Sequence, residues 1–321
     1  MSPSHHPLSY AIIGAGAVGG LYGGMLAKRG AEVHFLMHSG IDEVRQHGWR
    51  VESVAGDFRL PPESLHLHND PRSMPNCDVT ILAIKSTQNH LLGELLPAAT
   101  GQDGVVLCLQ NGLHPEADSV AIVGPGRVLG GCCFLCSNKV APGQIRHLDY
   151  GRIVLGEFTA ADQPPAGISD RLQRITDDLI AAGIDAVATG DLWLARWRKL
   201  MWNIPFNGLS VALDASTKQL IDTPESARLA AAIMGEVRDA AAACGRTLPT
   251  DAIEKTLDHT RQMVPYDSSM RLDYRAGREM ELAGIFAAPL AAAEQAGATM
   301  PRVEMLHQQL GFLQAHRRHR K

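Results

Sequence analysis

No uninterrupted apolar run in the sequence approaches the ~18 residues of a membrane span, so no membrane-crossing helix is expected. Nor is there an excess of basic charge. Lysine and arginine number 30 against 34 aspartates and glutamates, a net charge of −4. Without a basic field the chain is not expected to hold nucleic acid. The opening stretch 1–7 is short and polar and lacks the apolar segment of a secretory leader, so none is expected. Metal-binding spacing is missing as well. There is no HExxH, and Cys132-Cys133-x-x-Cys136 has no second cysteine pair to complete a four-thiolate set. Adjacent residues of a strand point to opposite faces, so Cys132 and Cys133 are expected to pack, and no metal is expected. His34 and His38 lie on an extended segment, roughly 13 Å apart, too far to share an ion. The 6 cysteines, most of them in apolar stretches, fit reduced buried thiols of a cytoplasmic protein better than a disulfide framework. No internal repeat is present.

What remains is an ordinary globular composition: 321 residues, 45% hydrophobic and 20% charged, with 31 glycines. At ~150 residues per domain this suggests about two domains. Through the first 190 residues short apolar runs alternate with glycine turns and amphipathic runs. Strands are expected at 10–13, 33–37, 79–84, 105–109 and 127–134, with helices at 18–29 and 89–96. That alternation predicts a mostly parallel sheet with helices on its faces. Residues 49–60, broken by Gly56-Asp57, read as a small hairpin, and 145–150 and 152–155 as an antiparallel pair about Gly151. Past Gly190 the chain turns rich in alanine and leucine with a period near 3.6. Helices are expected at 191–211, 224–244, 250–263, 278–296 and 301–316, with Pro224 opening one and Gly245 and Gly297 ending two. The basic tail 316–321 reads as a solvated end.

Gly14-Ala15-Gly16-Ala17-Val18-Gly19 is a GxGxxG between the first strand and the first helix, the context in which this motif binds a dinucleotide. Gly14 permits the tight turn, Gly16 lets the backbone approach a pyrophosphate, and Gly19 lets helix and strand pack closely. The second strand ends at His38-Ser39, where a carboxylate gripping a ribose 2′-hydroxyl would stand; its absence tilts the expectation towards NADP, with His38, Ser39 and Arg45 near the 2′-phosphate. The fold class is thus an α/β Rossmann-type dinucleotide-binding domain, 1–190, followed by an all-α C-terminal domain, 191–321.

Three segments place polar residues in apolar surroundings. Lys85 and Asn111 follow strands whose carboxyl ends face ligands in a doubly wound sheet, which makes them cofactor-side or substrate-side candidates; Asn-Gly is equally a turn dipeptide. Lys199, Asn203 and Asn207 stand four apart, so they share one helix face, with Trp193, Trp197, Leu200 and Ile204 on the other sides and Pro205 kinking the rod. A polar stripe of that kind is a cleft-facing surface or a hydrogen-bonded seam between domains. Met305, Leu306 and Leu310 read as core or as dimer contacts.

Taken together these motifs resemble the ketopantoate reductase family over nearly the whole chain. The resemblance rests on the GxGxxG, Lys85-x-x-Gln88, Asn111-Gly112, Trp197-Arg198-Lys199-Leu200-x-x-Asn203-x-x-x-Asn207-x-Leu209, and Ser268-Ser269-Met270-x-x-Asp273 followed by Glu281. It implies a site between the two domains, in which NADPH reduces the C2 carbonyl of a 2-oxo acid, 2-dehydropantoate first among them, in pantothenate biosynthesis. It implies Lys199 as general acid, Asn203, Asn207 and Ser269 as substrate ligands, Glu281 beside the lysine and the cofactor, and Lys85 and Asn111 on the nicotinamide side. Lys85 and Arg271 are candidates to pair the substrate carboxylate. A homodimer is one assembly open to the chain. Two places depart from the family pattern: Glu281-Leu282-Ala283-Gly284-Ile285-Phe286-Ala287 lacks the usual Asp and the Asn-Gly after it, and His38 stands where Arg is frequent. Three alternatives follow: a reductase of another 2-oxo acid, an opine-type reductase, or a non-catalytic NADP(H) sensor.

Overall fold

The computed structural model describes residues 6–316; the first five residues of the opening stretch and the tail beyond His316 lie outside the described residues. The chain divides into two compact units, the first comprising the residues up to Gln110 together with Glu116–Leu192, the second Asn111–Pro115 with the residues from Trp193 onward.

The first unit is built on one sheet of ten strands among the described residues. They are β1 (Ser9–Ile13), β2 (Glu32–Leu36), β3 (Trp49–Ser53), β4 (Phe58–Leu60), β5 (His66–His68), β6 (Cys77–Leu82), β7 (Thr100–Cys108), β8 (Val128–Ala141), β9 (Gln144–Glu157) and β10 (Ala186–Thr189). The order is β4-β3-β9-β8-β7-β6-β1-β2-β5, with β10 beside β9. The run from β5 to β8 is parallel throughout. Successive residues of a strand face opposite ways, and here both faces are covered. Tyr10 and Ile12 join one buried cluster with Leu21, Tyr22 and Leu26 of helix α1 (Ala17–Lys28). Ala11 and Ile13 join the other with Leu92, Leu96 and Ala99 of a second helix. Strands buried on both sides must be apolar at every position, which is why the parallel strands read as continuous hydrophobic runs. Besides α1, the helices of this unit among the described residues are α2 (Ile41–His47), that second helix α3 (Leu92–Ala99), α4 (Ala117–Val123) and α5 (Asp170–Ala181).

Some expectations are corrected here. The two segments about Gly151 do not pair with each other. They form the single strand β9, antiparallel to β8 across a Pro142-Gly143 turn. Gly151 (φ +126°) and Tyr150 (φ +59°) form a bulge, where the pairing steps from Phe134–Arg152 to Leu135–Tyr150; a positive-φ glycine serves a bulge as well as a turn. The helix expected at 89–96 begins as a 3-10 turn, Ser86–Leu91, before α3. Its run of Ser, Thr, Gln, Asn and His favours local side-chain hydrogen bonds over regular helix. Helix α5 and strand β10 were not anticipated, although Ser169 capping Leu172 N, then Leu172, Ile175 and Leu179 on one face, is a legible helix signal.

The second unit is helical: α6 (Leu192–Ala212), α7 (Thr217–Asp222), α8 (Pro224–Ala243), α9 (Ala252–Gln262), α10 (Ser269–Arg275), α11 (Ala288–Gln295) and α12 (Pro301–His316). Its core gathers Trp197, Leu200, Met201, Ile204 and Phe206 of α6 with Ile233, Met234 and Val237 of α8 and Val303, Leu306 and Leu310 of α12. Pro205 lies inside α6, which is assigned as one helix. The helix expected at 278–296 starts later: Met280 N donates to Gln314 Oε1 at 2.8 Å, a partner outside any ladder, and Ala283–Ala287 winds as a π turn before α11. The buried Glu236 of α8 caps α12, accepting from Arg302 N at 2.9 Å and Val303 N at 3.1 Å. No helix among the described residues is long and apolar enough to cross a membrane.

Candidate active site

In the first unit the GxGxxG forms the turn from β1 into α1. Gly14 has φ +102°, and a Cβ there would lie 2.6 Å from Ile84 N. A Cβ on Gly19 would lie 2.3 Å from the Gly14 carbonyl oxygen. Gly16 is different: a Cβ there would meet nothing within 4 Å. Gly16 is also the N-cap of α1, with no side-chain cap and no acidic residue in the first turn. The amides of a 12-residue helix therefore open onto free space at positive potential, and these residues fit a diphosphate. Ala15 is buried beneath the loop, while Ala17 and Val18 are half-buried. His38 and Ser39, just past β2, are exposed.

The turn after β6 packs on this loop, since Ile84 abuts Gly14. Lys85 follows, half-buried and extended, capping the 3-10 turn. One residue that sequence reasoning passed over holds this turn. The buried Gln110 carboxamide donates to the Ile84 carbonyl at 3.0 Å and to Asn89 Oδ1 at 2.7 Å; Asn89 in turn donates to Asp118 Oδ2 at 2.6 Å. Its only sequence signal is its place at a strand's carboxyl end.

In the second unit α6 carries Lys199, half-buried, with Asn203 and Asn207, both buried, at successive four-residue steps. Trp193, Trp197, Leu200 and Ile204 are buried in the core. Asn207 is 1% exposed, yet its Oδ1 has no hydrogen-bond partner among the described residues. A buried acceptor left unmatched costs free energy, and it marks a place for a polar ligand. Ser210 donates to the Asn207 carbonyl at 3.0 Å and pairs with Ser268 at 2.7 Å; Ser268 caps α10, whose first residue is Ser269. Asn111 Nδ2 donates to Glu281 Oε2 at 3.3 Å, joining two expected site residues 170 positions apart. Arg271 is already engaged within the protein. Its buried guanidinium is held by Asp267 and by Asp214, at 3.0 Å from Asp214 Oδ1. These bonds hold the Asp214 carboxyl below its usual range, the arginine hydrogen bonds being the cause.

Cys132, Cys133 and Cys136 are buried, and burial pushes Cys136 up to about 12. Among the described residues no group of three or more His, Cys, Asp or Glu is arranged to hold a metal ion.

Comparison with known proteins agrees with the motifs. Residues 10–160 match the family model described as ketopantoate reductase PanE/ApbA, and residues 191–314 match the model of its C-terminal part. A 2-dehydropantoate 2-reductase of Nostoc sp. is 46% identical over 309 residues, 96% of this chain and 96% of that one. The crystal structure of a 2-dehydropantoate 2-reductase from Geobacter metallireducens aligns with a TM-score of 0.90 at 37% identity, covering 95% of this chain and 99% of that one. Another, from Methylococcus capsulatus, aligns with a TM-score of 0.84 at 32% identity over 97% and 98% of the two chains. Matching models in both parts of the chain and relatives over nearly its full length lead to one conclusion: the chain belongs to the ketopantoate reductase family and is an oxidoreductase.

Proposed function

We propose that this oxidoreductase reduces the C2 carbonyl of a 2-oxo acid, 2-dehydropantoate to pantoate, with NADPH, in the cytoplasm and as a step of pantothenate biosynthesis. In this reading residues 1–190 hold the cofactor, while 191–321 supply the acid and most of the substrate ligands. Gly14, Ala15, Gly16, Ala17, Val18 and Gly19 would receive the pyrophosphate on the α1 amides. His38 would stand by the 2′-phosphate and Lys85 on the nicotinamide side. When bound, NADPH supplies the hydride.

The remaining chemistry belongs to side chains. Hydride arrival leaves negative charge on the carbonyl oxygen, and the Lys199 ammonium stabilises that charge and donates the proton. Asn203, Asn207 and Ser269 orient the acid by hydrogen bonds, with Asn111 beside them. Glu281 orients the lysine and borders the cofactor. The observation that carries this reading is the buried Asn207 Oδ1 without a partner, on the helix face that also bears Asn203 and Lys199. A ligand with a hydroxyl or a protonated group matches it.

The test is steady-state oxidation of NADPH and NADH across 2-dehydropantoate and related 2-oxo acids. The expected result is the highest kcat/KM for NADPH with 2-dehydropantoate. Because the stretch 281–287 lacks the Asp and the Asn-Gly of the family pattern, the panel includes smaller and bulkier acids and an amine for opine formation. Tight NADPH binding without turnover on any of them would replace this reading by a non-catalytic sensor.

A further inference from the structure

We propose that Gly284 is a positioning residue: its bare backbone seats the Asn111-Gly112 turn and so holds the Asn111 carboxamide against Glu281. This rests on the reading above of Asn111 as a substrate-side group.

Three consecutive residues meet the same turn of chain in register. Asn111 Nδ2 donates to Glu281 Oε2 at 3.3 Å. The Gly112 Cα lies on Gly284, and Leu113 N donates to the Gly284 carbonyl at 2.9 Å. Residues 111–115 group with the helical unit, as Glu281 and Gly284 do. Gly112 must be glycine, and Gly284 is closely approached from the other side. A Cβ on Gly112, at φ +108°, would lie 2.6 Å from the carbonyl carbon and oxygen of Gly284 and 2.7 Å from its Cα. A Cβ on Gly284 would lie 3.1 Å from the Asn111 carbonyl oxygen and 3.5 Å from the Gly112 Cα. The first of these distances is shorter than most real Cβ contacts, and the atom it meets is backbone rather than a flexible side chain. A methyl at 284 therefore lifts the turn by a few tenths of an ångström, in the direction that lengthens the Asn111–Glu281 bond.

Gly284 is the second residue of the π turn Ala283–Ala287 and lies three residues after Glu281. One turn of chain thus carries both the carboxylate and the seat. π turns are rare, and they concentrate where a site needs one residue re-aimed. The family resemblance did not point here, because the segment after Glu281 is where this chain departs from the family pattern.

The experiment uses the full chain in four forms: wild type, Gly284→Ala, Asn111→Ala and the double variant. Melting temperature, NADPH affinity by fluorescence, and kcat and KM with 2-dehydropantoate are measured for each. If Gly284 acts through Asn111, Gly284→Ala lowers kcat/KM roughly tenfold to a hundredfold with NADPH affinity retained, and it lowers nothing further in the Asn111→Ala background. Gly112→Ala produces a larger loss of the same kind; should that variant not fold, Gly284→Ala carries the test alone. Wild-type kinetics in Gly284→Ala, or losses that add in the double variant, overturn the proposal while leaving the function above intact. Wild-type kinetics in Asn111→Ala overturn the role of Asn111 and this proposal with it.

Discussion

Gly16 and Gly19 lie on one turn and make opposite demands. A side chain at Gly19 collides with the Gly14 carbonyl, whereas one at Gly16 enters empty space. Gly19→Ala is therefore expected to cost about 1–3 kcal/mol of stability by overpacking. Gly16→Ala should melt as the wild type does yet bind NADPH about tenfold more weakly, because the methyl stands where the pyrophosphate approaches; thermal melts and cofactor titrations on the two variants separate the effects. At Lys199 the reverse pattern is expected. Lys199→Ala should lower kcat roughly a thousandfold with NADPH affinity retained, since the oxyanion loses both its charge partner and its proton donor. Stopped-flow traces at saturating substrate check this. Residues of this kind were legible in the sequence because their spacing is local: three glycines on a turn, three polar groups on one helix face. Arg271 was not. Of the two carboxylates that engage it, Asp267 is local but Asp214 lies 57 positions away, and nothing near Arg271 in the sequence announces that second partner. Gln110 escaped notice for the same reason, its partners being Ile84 and Asn89.

At the scale of elements, the cap that Glu236 gives α12 is a contact between two helices, not a property of either. Two amides and the Arg302 guanidinium converge on one buried carboxylate. Glu236→Ala is expected to cost about 2–3 kcal/mol, the usual loss when buried donors are stranded, and urea denaturation followed by circular dichroism measures it. The edge pairing of β2 and β5 brings a second test. Burial, with His34 and His66 close by, holds the His68 imidazole below the usual histidine range. His34 Nδ1 lies 3.1 Å from His68 Nε2, Glu32 is on the far nitrogen of His34, and Ser73 is on that of His68. The unfolded chain takes up its proton first as pH falls through ~6.5, so stability is present above that pH and is lost below it. His68→Gln should flatten that slope in melts between neutral and mildly acid pH. The strands of the parallel run were readable as elements, since burial on both faces leaves mostly apolar residues. The course of 145–155 was not, because a positive-φ glycine looks alike whether the chain turns back or bulges. The start of the helix after 278 depended on Gln314, which no nearby residue announces.

For the molecule as a whole, a ligand that binds only the folded state raises its stability in proportion to the logarithm of its concentration. NADPH at a hundred times its Kd is expected to add about 2.7 kcal/mol, and NADH at the same concentration less; differential scanning fluorimetry reads both. The division into an α/β part and a helical part was visible in the change of periodicity near Gly190. That Asn111–Pro115 groups with the helical unit was not, because those five residues interrupt the first unit and meet partners far onward in the chain, such as Glu281 and Gly284. The ladder of β8 and β9 bears on how such a chain finds its shape. Two strands of 14 residues joined by Pro142-Gly143 close a very short loop, whereas β3, β7 and β10 reach the same pair only across long intervening segments. Short loops lose little chain entropy on closing and zip within microseconds. This hairpin is thus expected to form early in folding, and in stopped-flow refolding and unfolding traces substitutions along it are expected to slow refolding where those at the β5 edge chiefly hasten unfolding.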